Sequence, residues 1–308
     1  MRLPKPLVCA ALACVALTLP PANALGTTEG ADPLAITAQE VTRKVNVAGR
    51  QRMLSQRMAK ASCLMTSDIA AERHFEQLTQ AHELFGRSDT ALRLGDQEIG
   101  LGPEQRRAVM RALEEVDGPW YRYDRLIRQV MSNRTTDQVD IERLSLVSLE
   151  VLRHMNAAVN QTARSYGNVL PDVPLALTIT IDVAGRQRML SQKAMKELCL
   201  AHQAADPAVH LATLQGTIEM FDLSLTALQQ GFADVGVLAP PNSEIARQLT
   251  LVRDLWMPIQ AQYRMAIEQG VVDSAMLEQM APATDFLLQE MNRAVGLYEA
   301  DTRVAATN

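Results

Sequence analysis

The sequence predicts an all-α protein built as two tandem up-down four-helix bundles related by a pseudo-two-fold axis. Three observations carry this reading. The decapeptide Val-Ala-Gly-Arg-Gln-Arg-Met-Leu-Ser-Gln fills residues 47–56 and again 183–192, an offset of 136. That offset then holds without a gap to the end of the chain, matching Phe85 with Phe221, Trp120 with Trp256 and Met155-Asn156 with Met291-Asn292. Apolar residues also recur at helical rather than alternating intervals, and aromatics make up only 4% of the chain.

The first residues read as a leader. Arg2 and Lys5 form a basic start, Leu7 to Leu19 is apolar and uncharged, and Ala22-Asn23-Ala24 is a small-x-small cleavage site. Cleavage is expected after Ala24, giving three segments: a signal peptide over 1–24, one four-helix unit over 25–168 and a second over 169–308. The apolar run is short for a membrane span, so the mature chain is expected in the periplasm, exported and soluble, with no membrane insertion. Losing Arg2 and Lys5 and no acid takes the formal charge from −5 to −7. An acidic surface is a poor match for nucleic acid.

Each unit then reads as four helices. The first is expected over 35–68 and 174–204, the second over 71–94 and 207–231. The third shows a 3-4 stripe of Leu113, Val116, Trp120, Tyr123, Ile127 and Val130, repeated by Leu249, Val252, Trp256, Ile259 and Tyr263. Asp117-Gly118-Pro119 and Pro258 are expected to kink or break it. The fourth carries Leu144, Val151, Met155 and Val159, then Leu287, Met291, Ala294 and Tyr298. Glycine and proline clusters at 100–103, 171–174 and 240–241 separate these runs. Four chain reversals lie between the two first helices, which can therefore run parallel.

The first helix of each unit carries the repeated motif. Val45, Gly49, Arg52, Gln56, Ala59 and Cys63 form a seam of 4-3-4-3-4 spacing, matched by Ile181, Gly185, Arg188, Gln192, Met195 and Cys199. A helical glycine costs about 1 kcal/mol against alanine, so Gly49 and Gly185 point to close approach of a backbone or a ligand. The seam itself holds no acidic partner for its arginines. If the seams face each other, Arg52 meets Arg188, and two guanidiniums call for a small planar oxyanion. The alternative is that both arginines reach solvent. Arg50, Arg57, Lys60 and their matches Arg186, Lys193 and Lys196 read as ordinary helix surface. Beyond the leader only Cys63 and Cys199 remain, at one repeat position. A disulfide across the axis and two buried thiols are both open there.

Residues Asn46 to Lys60, with the core Val-Ala-Gly-Arg-Gln-Arg-Met-Leu-Ser-Gln, resemble the signature of PilJ-type sensory domains, the N-terminal modules of type IV pili methyl-accepting chemotaxis transducers. They are also similar to the P-box of nitrate/nitrite sensor histidine kinases, of the form Asn-x-Ala-Gly-x-x-Arg-Met-x-Ser. That resemblance implies a P-box helix pairing with its counterpart, a ligand-contacting arginine at Arg52 and Arg188, and the P-box glycine at Gly49 and Gly185. Unit two begins its motif with Asp182 where unit one has Asn46.

The function expected is a periplasmic binding and sensing protein for a small oxyanion, nitrate or nitrite first, using Arg52, Arg188, Gly49, Gly185, Gln56 and Gln192. It would signal through a membrane-bound sensor or transducer partner. The alternative is a helical periplasmic adaptor with no small ligand; thermal stabilisation by anions separates the two. No catalytic constellation, cofactor loop or metal-ligand spacing is read, so no enzyme, cofactor or metal site is expected.

Overall fold

The computed structural model describes residues 36–134, 138–167, 169–170 and 174–305, which pack as one compact unit. The expected leader over 1–24 lies outside the described residues. The fold is all-α. In the first half α1 spans Ala38–Thr66, α2 Ala71–Leu94, α3 Arg107–Glu114, α4 Asp117–Asn133 and α5 Gln138–Tyr166. In the second half α6 spans Leu175–Gln203, α7 Ala208–Gln230, α8 Ser243–Gln269 and α9 Ser274–Ala305.

Local sequence explains the ends. The Thr37 hydroxyl caps α1 by accepting from the Glu40 backbone N–H at 3.1 Å, and the Asn242 side chain caps α8 by accepting from Glu244 and Ile245. Helices α2 and α7 both stop at a glycine of positive φ, Gly95 at 82° and Gly231 at 80°. A side chain at Gly95 would meet the Leu101 carbonyl oxygen at 2.8 Å. After each glycine the chain closes an antiparallel bridge, Asp96 with Leu101 and Phe232 with Val237, again 136 residues apart.

The third helix behaves differently in the two halves. In the first, Glu115 and Val116 separate α3 from α4 beside Asp117-Gly118-Pro119. In the second, α8 runs on through Pro258, so of the kink or break expected there a break does not occur. One lost backbone bond, about 3 kcal/mol for an interior proline, is offset by packing against α7 and α9.

Each half closes as a ring of four. Helix α1 packs on α2 and α5, α2 on α4, and α3 and α4 on α5. The second half repeats this with α6 on α7 and α9, and α8 on both α7 and α9. The repeated aromatics mark equivalent joints: Trp120 stacks on Phe85 at 3.8 Å and Trp256 on Phe221 at 3.9 Å. The halves meet where α1 lies against α6, flanked by α9 on α1 and α5 on α6.

Two levels fix the direction of that pairing. Gly49 and Gly185 share a level, because the tips of Arg52 and Arg188 both lie beside each of them. Fourteen residues on, about 21 Å along a helix, Cys63 and Cys199 are joined by a disulfide with Cα atoms 6.2 Å apart. Equivalent residues meet at both levels, so α1 and α6 are parallel and in register about the pseudo-axis.

Candidate anion-binding site

Helices α1 and α6 are covered on most of their surface, so most of the motif's polar residues are buried too. The motif is a set of internal joints. The Gln51 amide donates to the Phe85 carbonyl at 3.0 Å and Gln187 to Phe221 at 3.1 Å, each tying a first helix to its second. The Ser55 and Ser191 hydroxyls donate back to the Arg52 and Arg188 carbonyls. Tyr123 donates to the Ser55 carbonyl at 2.6 Å.

Arg52 and Arg188 are 1% and 3% exposed, so neither is solvated surface. Their tips converge at the glycines. A Cβ on Gly49 would meet Arg52 Nη2 at 3.3 Å and Arg188 Nη2 at 3.6 Å; one on Gly185 would meet Arg188 Nη2 at 3.2 Å and Arg52 Nη2 at 3.7 Å. The missing side chains leave room for the two guanidiniums to share one space. Each also donates to an asparagine of its own half, Arg52 to Asn156 at 3.1 Å and Arg188 to Asn292 at 3.3 Å. The repeated Met-Asn pair thus has a role in the same site.

The site is not symmetric. Arg52 donates across the interface to Asp182, at 2.5 Å to the carboxylate and 3.2 Å to the backbone carbonyl. This corrects the expectation that the arginines have no acidic partner. The seam positions hold no acid, but Asp182 reaches in from one residue beyond Ile181. Asp182 also pairs with Arg186 at 3.3 Å. Arg188 reaches the equivalent place on α1 and finds Asn46, whose backbone carbonyl it meets at 3.3 Å. The Asn46 amide turns away to Glu299 at 2.7 Å. Arg188 therefore holds three contacts of 3.3–3.4 Å, long for a charged donor, and among the described residues no carboxylate pairs with it. Burial, followed by the positive charges of Arg50 and Arg52, pulls Arg188 down to about 9. Burial also lowers Arg52, but Asp182 opposes it. The Arg52 Nε–H is buried without an acceptor.

Gln56 and Gln192 are not gathered at this point. Gln56 donates to the Ser148 carbonyl at 3.1 Å and accepts from Lys196 at 2.9 Å. Gln192 donates weakly to Ser191 at 3.4 Å, with its carbonyl oxygen buried and unbonded. Lys60 and Lys196, expected as helix surface, are buried instead. Four neighbours pack on each first helix and leave only a partly exposed stripe that includes Arg50, Arg57, Arg186 and Lys193. Lys60 pairs with Asp285 at 2.5 Å. The acid comes from α9, which the local sequence around Lys60 does not show.

The family model for the type IV pili methyl-accepting chemotaxis transducer N-terminal domain, PilJ, matches residues 37–143 and again 178–285. The two matches cover more than half of the chain, and the chain belongs to this family with its domain present twice. A similar protein is the methyl-accepting chemotaxis protein McpN of Pseudomonas aeruginosa, 35% identical over 124 residues. That match takes in 39% of this chain and 22% of McpN, so the chain spans about a fifth of its relative's length. The family and the relative support a sensory domain. Among the described residues no helix is long and apolar enough to cross a membrane.

Proposed function

We propose that this chain is a periplasmic, non-catalytic sensory protein that binds one small planar oxyanion, nitrate or nitrite first, between Arg52 and Arg188. It passes its state to a membrane-bound transducer. The observation that carries this reading is the convergence of two buried guanidiniums over Gly49 and Gly185, with only one carboxylate between them. A planar anion with paired oxygens would take the fork of Arg188 and the open Nε–H side of Arg52, with Asn156 and Asn292 beside it. It would relieve an uncompensated buried cation, which is costly when left alone.

Asp182 acts in this reading as a resident competitor for Arg52. Binding moves charge across the α1–α6 interface, where the two halves can shift against each other, and such a shift is what a partner could read. A thermal-shift series of nitrate, nitrite, formate, sulfate and chloride on the chain from Leu25 tests it. Nitrate and nitrite are expected to raise the melting temperature well beyond chloride. A uniform response to all salts favours the adaptor alternative instead.

A further inference from the structure

The two halves are an internal control for each other, and they differ at the buried lysines. In the first half the Lys60 ammonium is met by Asp285 at 2.5 Å. Asp285 also takes Arg73 at 3.0 Å and Gln77 at 2.6 Å. In the second half Lys196 is equally buried, at 1% exposure. The residues equivalent to Asp285, Arg73 and Gln77 are Leu149, Val209 and Thr213. No carboxylate lies within ion-pair distance of Lys196 among the described residues, and its hydrogen bond goes to the neutral Gln56 oxygen at 2.9 Å. A pocket of about 400 Å³ lies beside Asp285, Arg73 and Gln77, and the equivalent place beside Lys196 holds one of about 470 Å³ with Leu149 where the other carries its carboxylate.

The rest of that cavity narrows the chemistry. Leu146, Leu149, Leu200 and Val209 give it an aliphatic wall. Glu197 also lines it, held by Lys193 and by the Thr217 hydroxyl at 2.7 Å, with acceptor capacity to spare. Glu142 and Asp206, both exposed, stand at its rim, with His210 beside them. A plain anion would satisfy Lys196 but would face three acids. A ligand that also carries an ammonium group matches both signs.

We propose that the cavity between α5, α6 and α7 is a second binding site, one that takes an aliphatic α-amino acid. The ligand carboxylate pairs with Lys196, as Asp285 does with Lys60. Its ammonium faces Glu197 and the acidic rim, and its side chain packs on Leu146, Leu149, Leu200 and Val209. Burial, opposed by Glu197, holds the free Lys196 ammonium down to about 8, so a carboxylate partner has a cost to relieve. On binding, Lys196 turns from Gln56 to the ligand. The site stands apart from Arg52 and Arg188 and does not depend on the oxyanion reading.

The test is calorimetry of the chain from Leu25 in nitrate-free buffer with L-leucine, 4-methylpentanoate and 3-methylbutylamine. Leucine is expected to bind, and each analogue, lacking one charge, to bind at least about tenfold more weakly. The decisive variant is Leu149→Asp, which places on α5, beside Lys196, the carboxylate that Asp285 of α9 already gives Lys60. It is expected to melt higher than the wild type and to lose leucine binding. Lys196→Met is expected to lose it as well. No leucine binding by the wild type, binding retained in Leu149→Asp, or either analogue binding as tightly as leucine would overturn the proposal.

Discussion

Asp182 of α6 reaches across the interface to Arg52 of α1 at 2.5 Å, while the equivalent reach from Arg188 to Asn46 ends on a backbone carbonyl at 3.3 Å. One carboxylate thus serves one of two otherwise equivalent cations, and the two arginines should differ when removed. In anion-free buffer Arg52→Ala leaves Asp182 with only the half-exposed Arg186 and is expected to cost about 3 kcal/mol. Arg188→Ala removes an uncompensated charge and is expected to be neutral or stabilising. Urea unfolding of both variants checks this; equal losses would show that Asp182 does not set the asymmetry.

Asp182→Asn restores in unit two the residue that unit one has at Asn46. It removes the internal competitor and is expected to tighten nitrate binding by about tenfold, a hydrogen bond to a charged group being worth about 1.5–3 kcal/mol. The anion-free variant is expected to be less stable than the wild type, because two guanidiniums then face each other unpaired. Titration calorimetry reads the first effect and thermal unfolding without anion the second.

The Cys63–Cys199 bridge closes a loop of 136 residues at the centre of the fold. In the chain-entropy view so long a closure adds about 5 kcal/mol. Urea unfolding of the chain from Leu25 with and without reductant is expected to differ by that order. Thiol titration of the denatured, unreduced chain is expected to find no free thiol; two would remove the bridge from the account.

Acid should weaken the contact of α1 and α2 with α9 through the Lys60 cluster. Burial, followed by the positive charge of Lys60, holds His74 down to about 4, against an ordinary 6.5. Between those values the unfolded chain binds the extra proton, so stability is lost as pH falls through this window. Asp285 acts in the same direction: burial raises it, but Lys60 and then Gln77 and Arg57 hold it below its ordinary range. Its contribution is lost as that carboxyl protonates. Urea midpoints at pH 7 and 5 are expected to drop for the wild type and to drop less for His74→Gln.

Much of this was legible in the chain because repetition constrains interpretation. The 136-residue offset gave the two halves, the 3-4 stripes gave the helices, and the glycines three residues before Arg52 and Arg188 marked the shared space. What was hidden had one physical cause. Helices α1 and α6 look amphipathic, with a basic face, but four neighbours pack on each and leave only part of that face exposed. Lys60 and Lys196 therefore read as surface and are buried. Their partners, Asp285 on α9 and Gln56 on α1, come from distant parts of the chain. The Asn46-to-Asp182 difference was visible, but its meaning needed the cross-interface register.

The central claim is that Arg52 and Arg188 together hold one small oxyanion. Calorimetric titration of nitrate and nitrite into the chain from Leu25, its Arg52→Ala and Arg188→Ala variants and the double variant tests it most directly. The expected result is one anion per chain, with affinity falling about 10- to 150-fold in each single variant. The double variant is expected to lose less than the sum of the two, since both arginines serve one site. Anion affinities that are the same in wild type and both single variants would contradict the account.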